Sequence, residues 1–103
     1  MAEVLTDIAE LRHRIDIIDD QLVRLLNVRV ACALEIGRLK HEGGFPIYQP
    51  DREKQVLHHV RTHGTHTGSP LEGDAIVRVF ERIIDEARRI ERATAHTAGK
   101  RED

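Results

Sequence analysis

A chain of 103 residues with 3% aromatic and 33% charged residues has material for one domain and one modest core, which Leu, Ile, Val and Ala must fill. The formal net charge of -2 speaks against a general nucleic-acid binder, which needs a basic excess on one face, but leaves room for a small pocket of concentrated positive charge. The single cysteine, Cys32, sits in an apolar helical pattern and reads as a small buried hydrophobe in a reducing compartment.

The first stretch, MAEVLTDIAELRHR, carries acids and no apolar core run, so it does not read as a signal peptide. No apolar run approaches the roughly 20 residues that span a bilayer, and a cytoplasmic protein without membrane or nucleic-acid partners is expected. Thr6 and Asp7 are placed to cap a first helix that the pattern carries to about His41. Ile8, Leu11, Ile15, Ile18, Leu22 and Leu25 step alternately by three and four residues, the seam of a packed helix. The same count lands next on Arg29, where an apolar residue belongs, and resumes at Cys32, Ile36 and Leu39. A helix of that length is a rod of roughly 50 Å. A compact domain of this size has a radius of gyration of only about 13 Å, so the economical way to cover the seam is a second copy.

HEGGFPIYQP, residues 41–50, breaks the pattern with two glycines and two prolines. Pro50 suits the first turn of a second helix, with Gln49 at or near its N-cap, and the helix is expected to run to about Thr62 with Val56, Leu57 and Val60 inward. The loop HGTHTGSP follows. Ser69-Pro70-Leu71-Glu72 then reads as a capping box for a third helix reaching about Arg92, with a stripe of Ile76, Val79, Phe80, Ile83, Ile84, Ala87 and Ile90. Residues 94–103 lack a pattern and are expected to form a disordered tail beyond a domain of residues 1–93. The fold class is therefore all-α: three helices, long, short and long.

Four cations stand out. Arg29 and Lys40 are eleven residues apart, close to three whole turns, so they share one face about 16 Å apart along the axis. Arg52 lies in the first turn of the second helix, whose free N–H groups favour an anion or a hydroxyl. Arg12 is roughly 25 Å from Arg29 along the same helix and cannot share its site, but in an antiparallel dimer it can lie beside the Arg29 of the other chain. Glu91, in the run EARRIER beside the apolar stripe, reads on its own as an exposed acid. His58, His59, His63 and His66 match no strong ligand spacing, so no metal is expected, and no nucleophile triad, phosphate-binding loop or dinucleotide fingerprint is present.

LRHRIDIIDDQLVRLLNVR, EIGRLK, IYQPDRE and FERIIDEARRIER, in this order and spacing, resemble the small all-helical chorismate mutases over nearly all of Leu5 to Arg92. The resemblance implies an intertwined homodimeric bundle of three-helix chains that converts chorismate to prephenate, the branch-point step toward phenylalanine and tyrosine. It also implies that Arg29 of one chain and Arg12 lent by the partner grip the substrate carboxylates, with Lys40 on a carboxylate and the ether oxygen of the breaking bond. Arg52 falls near the ring carboxylate and Glu53 where the ring hydroxyl is accepted. Glu91 stands opposite Lys40 where many members have glutamine, Gln49 where an aspartate is common, and Ala87 where a serine often adds a contact. A unimolecular pericyclic rearrangement needs no cofactor, which fits a sequence without a nucleophile or metal motif. An acid at Glu91 would have to act as a protonated donor, since an ionised carboxylate repels the oxygen it should stabilise. An isochorismate-pyruvate lyase would use the same cations on a related substrate. A non-enzymatic dimeric interaction module would need a basic exposed face instead.

Overall fold

The computed structural model describes residues 1–46, 48–64, 66 and 68–102, with side chains as far as residue 95. Ile47 of the IYQPDRE motif, Thr65 and Thr67 of the second loop, and Asp103 lie outside the described residues. The described chain is all-α, with α1 Ala2–Gly43, α2 Pro50–His63 and α3 Gly73–Glu102. It divides into two compact units, Met1–Cys32 and Ala33–Asp103.

In the first unit, α1 begins at Ala2, ahead of the expected cap at Thr6. The Thr6 hydroxyl donates to the Ala2 carbonyl at 3.0 Å, four residues back, so it is an interior group bonding along the helix and caps nothing. Ala2, Glu3 and Leu5 are good helix formers, and the acid in the first turn favours the start there. No residue of α1 is buried. Ile8, Leu11, Ile15, Ile18, Leu22 and Leu25 all remain exposed, from 39% at Ile8 to 65% at Leu25. Cys32 is exposed too, contrary to the buried hydrophobe expected, because it belongs to the same uncovered seam.

In the second unit, α1 ends in a Schellman motif. Gly44, at φ 71°, takes the left-handed conformation that glycine adopts without a Cβ penalty. Its N–H donates to the His41 carbonyl at 3.3 Å, and the Phe45 N–H donates to the Lys40 carbonyl at 2.8 Å. Phe45 folds back over Gly43, where an added Cβ would meet two ring carbons at 2.7 Å. Lys40 therefore sits at a fixed place in the last turn.

Gln49 is the N-cap of α2 through its backbone, with no side-chain cap bond, and Pro50 occupies the first turn. The Gln49 carbonyl accepts the N–H groups of Arg52 at 3.2 Å and Glu53 at 3.4 Å. α2 packs against α3. Val56, Leu57 and Val60 on α2, and Ile76, Phe80, Ile83, Ile84 and Ile90 on α3, are half-buried. Ala87 is the buried centre of the hairpin at 5% exposure. The far end of the pair is tied by Arg61 to Asp74, and Gly73 lets the Arg61 stem cross the start of α3, since a Cβ there would meet Arg61 Cγ at 3.0 Å.

The expected capping box does not form. Ser69 Oγ accepts the His66 N–H at 3.0 Å while the Ser69 N–H donates to the His66 carbonyl at 2.9 Å, so the hydroxyl is used by the preceding loop. Glu72 instead stands just ahead of the helix, its carbonyl accepting the Ile76 N–H at 3.0 Å. At the other end α3 continues as helix to Glu102, through the segment expected to be a disordered tail. Alanines at 93, 95 and 98 give that segment a high helix propensity that the missing apolar stripe conceals.

Candidate active site

The loop between α1 and α2 hands the chain from Lys40, at the end of one helix, to Arg52 and Glu53 in the first turn of the next. The α2–α3 contact then brings that first turn to the middle of α3. Arg88 donates from Nη2 to Glu53 Oε1, joining the two helices. Ala87 is its neighbour, and Glu91 follows one turn later, half-buried. The structure thus brings Glu53 beside the α3 segment that carries Ala87 and Glu91. Gln49 and Arg52 precede Glu53 and are exposed. Arg12, exposed, and Arg29, half-buried, belong to the first unit.

Burial and pairing sort the cations. Among the described lysines and arginines, only Arg29, Lys40 and Arg88 are half-buried, and the others are exposed. Arg88 has a carboxylate partner in Glu53, with Asp85 Oδ1 3.9 Å from its Nη1. Neither the Arg29 guanidinium nor the Lys40 ammonium has an ion pair or hydrogen bond among the described residues. A partly covered cation with no anion beside it keeps its donors open to an anionic ligand. The side chains of Arg12, Arg52 and Glu91 are likewise without such partners, but Arg12 and Arg52 remain solvated.

Contrast this with Arg38, two residues before Lys40. It is held at 2.5 Å by both Glu35 and Glu42 on the exposed side of α1, and its hydrogen bond pulls the Glu35 carboxyl below its ordinary value. Neutralised in this way, Arg38 is poorly suited to take a substrate anion.

Two residues of this region escape a reading of the sequence. Arg88 looks like one more member of the charged run EARRIER, and its pairing with Glu53 bridges helices far apart in the chain. Tyr48 lies with its ring centroid 5.5 Å from Arg88 Cζ, a cation–π contact from the loop before α2. The only available signal was the position of Arg88 directly after Ala87, at the edge of the apolar stripe. As for the histidines, His59 and His63 stack at 4.6 Å, and no group of three potential metal ligands occurs among the described residues.

Comparison with known proteins bears on this arrangement. The family model for chorismate mutase type II matches residues 11–92. The solved structure of a chorismate mutase (Form II) from Thermus thermophilus superposes with a TM-score of 0.76 at 30% identity, covering 82% of this chain and 93% of that one. A bifunctional chorismate mutase/prephenate dehydratase from Aquifex aeolicus is 33% identical over 78% of this chain, but the match spans only 22% of the relative's length. A chorismate mutase from Methanocaldococcus jannaschii is 33% identical over 56% of this chain and 59% of its own. The family match reaches all three helices and takes in every residue from Arg12 to Glu91 considered above, and the chain belongs to the chorismate mutase type II family.

Proposed function

We propose that this chain is a chorismate mutase that works as a cytoplasmic homodimer, rearranging chorismate to prephenate in two equal sites built from both chains. The observation that carries the reading is the pair of half-buried cations, Arg29 and Lys40, that have no anion of their own among the described residues. A substrate with two carboxylates and an ether oxygen supplies what they lack. In the reaction the ether C–O bond breaks as a C–C bond forms within one molecule, so the protein has two tasks: to hold the flexible substrate in its compact chair-like form, and to stabilise charge growing on the ether oxygen.

Arg29, with Arg12 from the partner, grips the carboxylates. Lys40 binds one carboxylate and the ether oxygen, from the turn that the Gly44 motif fixes. Glu91 donates to the same oxygen from α3 in its protonated form, an acid beside the apolar Ala87 and Ile90. Arg52 lies near the ring carboxylate, and Gln49 contributes through its backbone N–H. Glu53 accepts from the ring hydroxyl. Ala87 offers shape and no hydrogen bond, so any auxiliary contact there falls to water.

The dimer rests on the uncovered seam of α1, where Ile8 through Leu25 remain exposed in the single chain. Contiguous apolar surface of this kind marks an interaction site. No helix among the described residues is long and apolar enough to cross a membrane.

The test is to incubate purified protein with chorismate and with isochorismate and to identify the products. Prephenate from chorismate is expected. Salicylate and pyruvate from isochorismate, without prephenate, would make it a lyase, and no turnover by folded dimer would reject the enzymatic reading.

A further inference from the structure

Glu53 is a half-buried carboxylate with unequal oxygens. Oε1 accepts from Arg88 Nη2 on α3, and Oε2 has no hydrogen-bond partner among the described residues. The two side chains are 30% and 35% exposed, so the pair is neither a freely solvated surface contact nor a sealed one. Arg88 is itself restrained. Asp85, one turn back on α3, lies 3.9 Å from Nη1, and the Tyr48 ring stands 5.5 Å from its Cζ. One guanidinium thus joins the loop before α2, the first turn of α2 and the centre of α3, adjoining the buried Ala87.

We propose that Arg88 is a positioning residue for the substrate ring: it holds Glu53 by one oxygen so that the other is aimed to accept the ring hydroxyl. This rests on the assignment of Glu53 as that acceptor. A glutamate side chain has three rotatable bonds, and fixing it before the substrate arrives removes an ordering cost from binding. An ionised carboxylate accepts and does not donate, so the aimed oxygen selects a hydroxyl donor at that point of the ring. The fork of the guanidinium suits the task, because one nitrogen can hold Glu53 while another faces Asp85 and the Tyr48 ring stands by its Cζ.

The experiment uses the full-length dimer and steady-state kinetics with chorismate. Arg88→Ala is expected to raise KM about 10-fold with kcat changed less than about 3-fold, since a charged hydrogen bond at a partly solvated site is lost from ground-state orientation. Arg88→Lys, which keeps a donor and a charge, should recover part of that loss. Arg88→Met keeps the apolar stem and serves in place of alanine if the alanine variant does not fold. In a double-mutant cycle with Glu53→Gln, the Arg88 substitution should cost nothing further. Its effect should also vanish on a chorismate analogue that lacks the ring hydroxyl.

Independent, additive effects of the two substitutions would overturn the proposal. So would an Arg88→Ala penalty that persists undiminished on the analogue, which would make Arg88 a substrate contact or a purely structural brace. If Glu53→Gln leaves the kinetics with chorismate unchanged, the assignment of Glu53 falls and this inference with it. Turnover of chorismate by the unaltered chain is a separate result that such an outcome does not touch.

Discussion

The first unit and the α2–α3 hairpin both carry apolar stripes, yet they meet different surroundings. In the hairpin, Val56, Leu57 and Val60 face a partner helix of the same chain, and Ala87 is buried at their centre. In the first unit the seam from Ile8 to Leu25 is exposed along its length. Burying a Leu or Ile fully is worth about 1.5–3 kcal/mol over leaving it in water, so six such residues represent a driving force the single chain leaves unused. The contrast separates two roles. The hairpin holds acceptors and donors in a fixed relation to one another, while the first unit leaves its apolar seam, and Arg12 on the same helix, exposed.

Three substitutions test this division. Lys40→Ala should have the largest effect on turnover, lowering kcat/KM about 10²- to 10³-fold, the usual consequence of removing a preorganised donor at a developing oxyanion. Size-exclusion chromatography should show the variant unchanged in mass, as the role proposed for Lys40, in the chemistry and not in assembly, requires. A smaller dimer population would move Lys40 to the other role. Leu22→Asp should do the reverse, placing a charge on the seam and weakening association about 10²-fold or more, as measured by analytical ultracentrifugation. Activity should then recover with protein concentration, whereas an unchanged dissociation constant would show that the seam is covered by something else.

Glu91→Ala is expected to have the smallest effect of the three, lowering kcat/KM about 10-fold with the loss of one hydrogen-bonding group at the ether oxygen. Glu91→Gln, which keeps a donor at the same reach, should retain most of the wild-type value. An alanine variant as active as the wild type would remove Glu91 from the chemistry.

Much of this arrangement is visible in the residue order, and the exceptions have physical reasons. Three helices follow from apolar residues every three or four positions, and the end of α1 follows from Gly43-Gly44, because a left-handed residue is needed there and glycine supplies it. Helix starts are less legible. Thr6 has the chemistry of a cap but bonds within the helix, and Ser69 has it too but is used by its own loop. Capping residues compete for several backbone partners, and only the three-dimensional path decides which one wins.

The candidate site divides in the same way. Arg29 is legible because it interrupts a seam. Glu91 is not, because an acid in a charged run looks like solvated surface. Arg88 is the least legible, since its meaning depends on Glu53, a residue on another helix to which no periodicity connects it.

Each site is proposed to take Arg12 from one chain and Arg29 from the other. Mixing inactive Arg12→Ala chains with inactive Arg29→Ala chains tests it directly. Random exchange gives half heterodimers, each with one intact site and one doubly altered site, so activity should rise to about a quarter of the wild-type value. If heterodimers are confirmed by mass and activity stays at the level of the separate variants, the two arginines do not meet across the dimer and the shared site is wrong.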